Sequence, residues 1–414
     1  MSNANNSCIP RLRFPGFEGE WEEKKLGEVF TRLTNKNAEN NKNVLTISAQ
    51  YGLISQLDFF KKSVSAVDVT GYYLLQKGDF AYNKSSSQGK PVGAIKPLKL
   101  YDKGVVSTLY ICFRCKDPKA VGFWEQYFDA GIFDKEIMSI AQEGARNHGL
   151  LNVPTNDYFG LTILMPTPAE QQKIASCLSE LDNLIAAQGQ KVDALKEKKK
   201  GLMQQLFPQP GETTPRLRFP GFEGEWVEKK VSACLEERNE QFPESEDYPL
   251  MAFVAEKGVT PKGEKYDRSA LVKDAANKKY KRTEFGDFIY SSNNLESGSI
   301  GFNTYGSACI SPVYSIFKSK NNVDSTFIGT LLTQKRFISE MVKYRQGVVY
   351  GQWKIPEKEF LEIKISLPSI SEQQKIASCL SSLDDLIAAE SAKVEALKDH
   401  KKGLMQQLFP QPTK

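Results

Sequence analysis

A stretch of 41 residues occurs twice in this chain, first from Glu170 as EQQKIASCLSELDNLIAAQGQKVDALKEKKKGLMQQLFPQP and again from Glu372 as EQQKIASCLSSLDDLIAAESAKVEALKDHKKGLMQQLFPQP, with eight differences. A repeat fixes architecture before any motif is read, because both copies must meet surroundings that suit the same side chains. Ile174, Leu178, Leu181, Ile185, Val192 and Leu195, then Leu202 and Leu206, follow the alternating heptad spacing of a coiled coil, with Gln188 and Lys199 in polar seam positions. The second copy repeats the pattern at Ile376, Leu380, Leu383, Ile387, Val394, Leu397, Leu404 and Leu408, with Glu390 and Lys401 in the polar slots. The spacing predicts two helical rods, each on the order of 50 Å long. Near-identical stripes can bury one another across a pseudo-two-fold axis, so the rods are expected to pair. Ser371 with Gln374 suggests a capping box, and Gly201 and Gly403, each after a lysine run, suggest a cap or kink.

A second repeat, PRLRFPGFEGEW, occupies Pro10 to Trp21 and Pro215 to Trp226. The chain is therefore two tandem halves. Phe14, Phe17 and Trp21 around a Pro-Gly turn suggest an apolar brace against a rod. Between the repeats lie blocks of about Leu26 to Thr167 and Val231 to Ser369, which match only in skeleton: GDFAYNK at Gly78 with GDFIYSS at Gly286, VVSTLYICF with CISPVYSIF, and VPTNDYFGLTILMP with IPEKEFLEIKISLP. Short β-branched and aromatic runs broken by turn residues, with helical stretches near Phe123 to Ile140 and Ser325 to Lys343, predict an α+β domain in each block. The expected order is a disordered N-terminus over 1–9, a domain over 10–168, a rod and linker over 169–210, a second domain over 211–370, and a second rod with its tail over 371–414.

Strand-like pieces agree between the blocks, whereas loop residues do not. Gln50 and Tyr51 stand against Lys257 and its neighbour; Asn83, Lys84, Ser85, Ser86 and Ser87 stand against Ser291, Ser292, Asn293 and Asn294; Arg146, Asn147 and His148 stand against Arg345 and Gln346. These side-chain types match hydrogen-bonding patterns on base edges, while lysine and arginine also hold phosphates. Lys262, Lys265, Lys279 and Lys281 are further candidate phosphate contacts. The competing reading is that loops are polar because water solvates them.

No catalytic set is found. There is no Pro-Pro for the target-amine loop of amino-methyltransferases, no phosphate-binding P-loop, and only His148 and His400 as histidines. Cys112 and Cys115 form a lone CxxC inside a strand-like run, which predicts neither a metal nor a redox site. Seven scattered cysteines suit free thiols in a reducing compartment, and the sequence contains no apolar run of membrane-spanning length, so a cytoplasmic location is expected. A net charge of +5 over 414 residues is compatible with a polyanionic partner.

Together, PRLRFPGFEGEW, the GDF strand, the arginine-bearing approach to Val-Pro or Ile-Pro, and EQQKIA opening a heptad helix, each present twice and in order, resemble the specificity subunits of type I restriction-modification systems. The resemblance covers all but the first nine residues and corresponds to the full-length form. It implies that each block is a target recognition domain reading half of a split, asymmetric DNA site. It further implies that the rods form an antiparallel coiled coil that sets the spacer and docks two methylation subunits, with restriction subunits joining the full complex. S-adenosylmethionine, ATP and Mg would then serve those partners, and this chain would bind no cofactor. The alternative expectation is a non-catalytic scaffold whose two variable domains bind protein ligands.

Overall fold

A computed structural model describes residues 8–48, 52–60, 68–86, 90–143, 149, 151–255, 257–261, 278–348 and 352–410. The two rods are the helices α1 (Pro168–Leu206) and α2 (Ile370–Leu408), each 39 residues and so about 58 Å long. Both begin one residue before the expected bounds of 169 and 371. The Oγ of Thr167 accepts the backbone N–H of Glu170 (3.4 Å) and that of Ser369 accepts Glu372 N–H (3.3 Å), while Gln171 and Gln373 donate to the carbonyls of Pro166 and Pro368. Ser371 therefore lies inside α2, exposed to solvent, and the expected box with Gln374 is replaced by a cap at Ser369. Neither glycine ends its helix. Gly201 and Gly403 cost about 1 kcal/mol each relative to alanine, but Leu206 and Leu408 beyond them are buried, and the helices run on until Phe-Pro.

The chain divides into two compact units, Met1–Gln190 with Ser391–Lys414, and Lys191–Glu390. In unit 1, β1 (Glu22–Lys25) follows the PRLRFPGFEGEW motif. A four-stranded antiparallel sheet is formed by β2 (Phe30–Leu33), β3 (Phe80–Asn83), β4 (Ala94–Pro97) and β5 (Ile111–Cys115) in the order β2-β5-β3-β4. Its register sets Phe80 opposite Phe113, and one face packs Phe30, Phe80 and Phe113 against Trp124 and Phe128 of the helix Val121–Asp129. The final strand, β6 (Thr162–Met165), pairs with β1 and leads into α1. Ile174 and Leu178 of α1 enter this core together with Met405, Leu408 and Phe409 from the end of α2. The two helix segments are joined by Lys401 donating to both carboxylate oxygens of Asp182 (2.6 and 2.7 Å).

Unit 2 is assembled from the corresponding parts. The strands that match those of unit 1 are β7 (Val227–Lys230), β8 (Leu235–Glu237), β9 (Phe288–Tyr290), β10 (Ile300–Phe302), β11 (Ser315–Ser319) and β12 (Lys364–Leu367), with β7 paired to β12 and a sheet of order β8-β11-β9-β10. Phe288 stands opposite Phe317, the counterpart of the Phe80–Phe113 pair. Here Leu206 and Phe207 at the end of α1 share a core with Ile376, Ala377 and Leu380 at the start of α2. Lys199 pairs with Asp384 at 2.6 Å and Lys191 with Glu390 at 3.0 Å, so one helix descends in number as the other rises and the segments are antiparallel. Glu390, one of the polar seam positions, is buried on this pair.

Of the seam residues, Ile174, Leu178, Val192, Ile376 and Leu380 are buried, and Leu181, Ile185, Leu195, Leu383, Ile387, Val394 and Leu397 are half-buried. Leu184 and Leu386, which fall outside the heptad stripe, are exposed.

The repeated twelve residues form the clasp that holds each unit on its helices. Arg13 makes a two-bonded ion pair with Glu170 (2.8 Å for each bond), and Arg218 makes the same pair with Glu372. Each arginine also donates to a carbonyl of its own turn, Gly19 or Gly224. That turn needs glycine, since φ is +87° at Gly16 and +80° at Gly19, and +90° and +79° at Gly221 and Gly224. Leu12 N–H donates to Gln407 O at the end of α2, and Leu217 N–H to Gln205 O at the end of α1, each at 2.9 Å. Trp21 meets Phe123 and Phe409 edge-on, and Trp226 meets Phe207 and Phe327. The apolar brace expected from sequence is thus joined to an ionic one. Replacing Arg13 by alanine strands the Glu170 carboxylate, only 1 % exposed, and is expected to cost on the order of 3 kcal/mol. Hydrogen exchange at the Ile174–Leu178 amides should accelerate accordingly; unchanged exchange there would show the pair to be dispensable.

Candidate nucleic-acid interface

Both GDF motifs turn out to be scaffold. Asp79 is buried, accepts the Gln76 N–H (2.7 Å) and pairs with Arg114 of β5 through bonds of 2.6 and 2.9 Å. Asp287 likewise accepts Glu284 N–H (2.7 Å) and pairs with Arg238 at 2.8 Å. Burial raises the Asp287 pKa above the ordinary carboxylate range, against the pull of the Glu284 N–H and the Arg238 charge. The aspartates thus fix the start of β3 and β9, and the strands carry the divergent residues out at their far ends.

At the end of β3, Asn83 Oδ1 accepts the N–H of Ser85 (3.1 Å), an Asx turn that bends the chain. Ser86 N–H donates to Gly149 O and Leu151 N–H to Lys84 O (3.1 Å), so the segment from Lys84 to Ser86 runs beside Gly149 and Leu151. Gly149 has φ of +67°, and a Cβ there would sit 2.7 Å from Ser86 Oγ, which explains glycine at this crossing. Asn83 and Lys84 are half-buried, and Ser85 and Ser86 are exposed. Gln50, Tyr51, Ser87, Arg146, Asn147 and His148 lie outside the described residues, as do Lys262 and Lys265.

At the end of β9 the geometry is different in detail. Ser291 is buried, its N–H donating to Ser299 O (2.8 Å). Ser292 Oγ accepts Ile355 N–H (3.0 Å) and Asn293 Oδ1 accepts Trp353 N–H (2.6 Å), which ties this loop to the hairpin of Gln346–Val348 and Gln352–Lys354. Asn293 and Asn294 are exposed. Arg345 donates through Nη1 to Glu296 (2.9 Å), while its Nε and Nη2 are buried without a partner; Gln346 donates to Glu359 (2.8 Å). Lys257 and Lys279 are exposed, the first in the turn between strands Ala252–Val254 and Gly258–Thr260, the second just before strand Tyr280–Thr283. Lys281 is turned inward, donating to Tyr314 O (3.0 Å).

Trp353 escaped the sequence reading. It is 49 % exposed on the hairpin, whereas Trp21, Trp124 and Trp226 are all buried. A tryptophan immediately before Lys-Ile-Pro, in a position held by Leu151 in the first half, is the signal that could have found it.

Burial pushes the Cys112 and Cys115 thiols up to about 12 and about 11, so both stay protonated and inert near neutrality. Among the described residues, no group of three or more His, Cys, Asp and Glu side chains could hold a metal ion, and no helix is long and apolar enough to cross a membrane.

Residues 236–399, most of unit 2 with the first part of α2, match the family Type I restriction modification DNA specificity domain. Over 421 aligned residues the chain is 23 % identical to the type I restriction enzyme MjaX specificity subunit of Methanocaldococcus jannaschii, covering 94 % of this chain and 93 % of that one. The chain is similar to type I restriction-modification specificity subunits over nearly its whole length. The MjaVIII specificity subunit of the same organism is 25 % identical over 300 residues, covering 66 % of each chain. The fold is that of the S subunit from the type I restriction-modification system of M. genitalium, with a TM-score of 0.57 and 14 % identity, covering 98 % of this chain and all of that one. The matched family model is described as a DNA specificity domain, and both relatives as specificity subunits.

In unit 2, Asn293→Ala removes the acceptor for Trp353 N–H, a bond worth about 1 kcal/mol. Exchange at the Trp353 amide is expected to rise several-fold with β9 unaffected; equal rates in both proteins would show that Asn293 does not hold the hairpin.

Proposed function

We propose that the subunit reads a bipartite, asymmetric site on double-stranded DNA, each unit's loop cluster reading one half. In this reading the paired helices α1 and α2 set the spacer and dock two methylation subunits, and restriction subunits join the full complex. Adenine methylation and ATP-dependent cleavage then belong to those partners, with their S-adenosylmethionine, ATP and Mg.

The observation that carries the proposal is a contrast within one chain. Clasp, helix contacts and sheet register recur residue for residue: Arg13–Glu170 with Arg218–Glu372, Lys401–Asp182 with Lys199–Asp384, and Phe80–Phe113 with Phe288–Phe317. Among the divergent segments are those where β3 and β9 end. Unit 1 offers Lys84, Ser85 and Ser86; unit 2 offers Asn293, Asn294, Gln346 and Trp353. Lysine, serine, asparagine and glutamine supply the donors and acceptors that base edges require, and each good two-bonded base contact discriminates by about 1–3 kcal/mol. Shared surfaces face what the halves have in common, and divergent ones face two different short sequences.

Exchanging Leu26 to Thr167 for the corresponding block of another specificity subunit should change one half of the methylated site and leave the other, as read by sequencing methylated adenines in cells. Changes in both halves would refute modular reading. Inserting four residues at matched positions in α1 and α2 adds about 6 Å to each helix and should lengthen the spacer with the half-sites unchanged. An unaltered spacer would refute the helices as its ruler. Salt-sensitive binding to duplex DNA in the assembled complex separates this function from that of a scaffold for protein ligands.

A further inference from the structure

Unit 1 carries, beside its divergent loop, a cavity of about 50 Å³ that the bases proposed above do not account for. Arg32 reaches it from β2 and Lys84 from the residue after β3; Tyr73, Thr108, Tyr110 and Thr155 complete the polar wall. None of the described residues lining it is a carboxylate. Among the described residues, neither the Arg32 nor the Lys84 side chain has a hydrogen-bond or ion-pair partner, in a unit whose Arg13, Arg114, Lys96 and Lys401 are all paired. Cys112, also in the wall, keeps its proton and adds no negative charge.

Two unpaired cations and a set of hydroxyls around a carboxylate-free recess are the chemistry of an oxyanion site. Arginine presents a planar fork to a phosphate, lysine a point charge, and threonine and tyrosine hydroxyls donate to the remaining oxygens. The other unit lacks it. Arg32 stands opposite Phe113 in the sheet, and the residue opposite the matching Phe317 is Glu237, while Lys84 is replaced by Ser292, already engaged with Ile355 N–H. A phosphate brought to that position would meet a carboxylate.

We infer that Arg32 and Lys84 form a phosphodiester site that grips one backbone phosphate of duplex DNA and thereby sets the register of unit 1 along its half-site. The inference rests on the DNA reading proposed above and deepens it: phosphate contacts position a protein without carrying sequence information. It also distinguishes the two units at this position, where unit 1 has Arg32 and Lys84 and unit 2 has Glu237 and Ser292.

The test uses the full chain assembled with its methylation subunits, comparing wild type with R32Q, K84Q, the double variant and R32K for binding to a duplex containing the methylated site between 50 and 200 mM salt. Loss of one phosphate contact should make the slope of log affinity against log salt shallower by about 0.9 in the double variant, with weaker binding at low salt and the same bases recognised. R32K should keep the wild-type slope, since it retains the charge, which a purely structural role for Arg32 would not produce. An unchanged slope in the double variant, or a change in the bases recognised, overturns the phosphate site. Protection by inorganic phosphate at constant ionic strength without any change of DNA slope overturns it too, in favour of a free-anion site. A wild-type complex that shows no salt-dependent duplex binding overturns the DNA reading itself, before any variant is compared.

Discussion

One ion pair, made twice, organises each unit. Glu170 and Glu372 lie in the first turn of α1 and α2, where the helix dipole favours a negative charge, and each is almost wholly removed from water. A buried carboxylate is tolerable only with its hydrogen bonds satisfied, and the guanidinium of Arg13 or Arg218 does so with two parallel bonds. Because the same short motif also bonds to the end of the other long helix through Leu12 or Leu217, it fixes the start of one helix and the end of the other within a single unit. The aromatic core around Trp21 or Trp226 then closes over that junction.

The buried aspartates of the GDF strands extend this principle into the sheet. Asp79 and Asp287 take arginines from different places, Arg114 on β5 and Arg238 just after β8, yet hold the same turn. The charge pair is kept while its donor has moved, which indicates that the position of the strand is what matters. With the roots of β3 and β9 fixed in this way, their tips can vary without disturbing the core. A reader of changing sequences on a constant scaffold requires this separation of rigid and variable parts.

Much of the design was legible in the residues. The heptad stripe placed Ile174, Leu178, Ile376 and Leu380 on a buried face, and the GDF and Val-Pro or Ile-Pro matches aligned the strands, because periodicity and turn chemistry are local properties. Trp353, Arg32 and the inward turn of Lys281 were not legible. Exposure, the absence of a partner and the presence of a carbonyl acceptor 33 residues away are properties of what surrounds a side chain, and the surroundings are assembled from distant segments. The cap of α2 was misplaced for a related reason: Ser369 and Ser371 are equally good caps in isolation, and the bond from Gln373 to Pro368 O decides between them.

The sequence by itself determined that this chain is a doubled one, with two coiled-coil helices, two clasps and two divergent α+β blocks, since repetition and heptad spacing survive without any knowledge of contacts. Only the tertiary structure decided how those parts are shared. Each rod reads as a segment of its own, yet the compact units divide both helices, so that Phe409 completes the core of the first unit and Phe207 that of the second. The physical reason is that the two helix ends are nearly identical in sequence, so no local preference states which core each will fill; that is set by antiparallel pairing and by the carbonyls of Gln407 and Gln205 that the clasps engage.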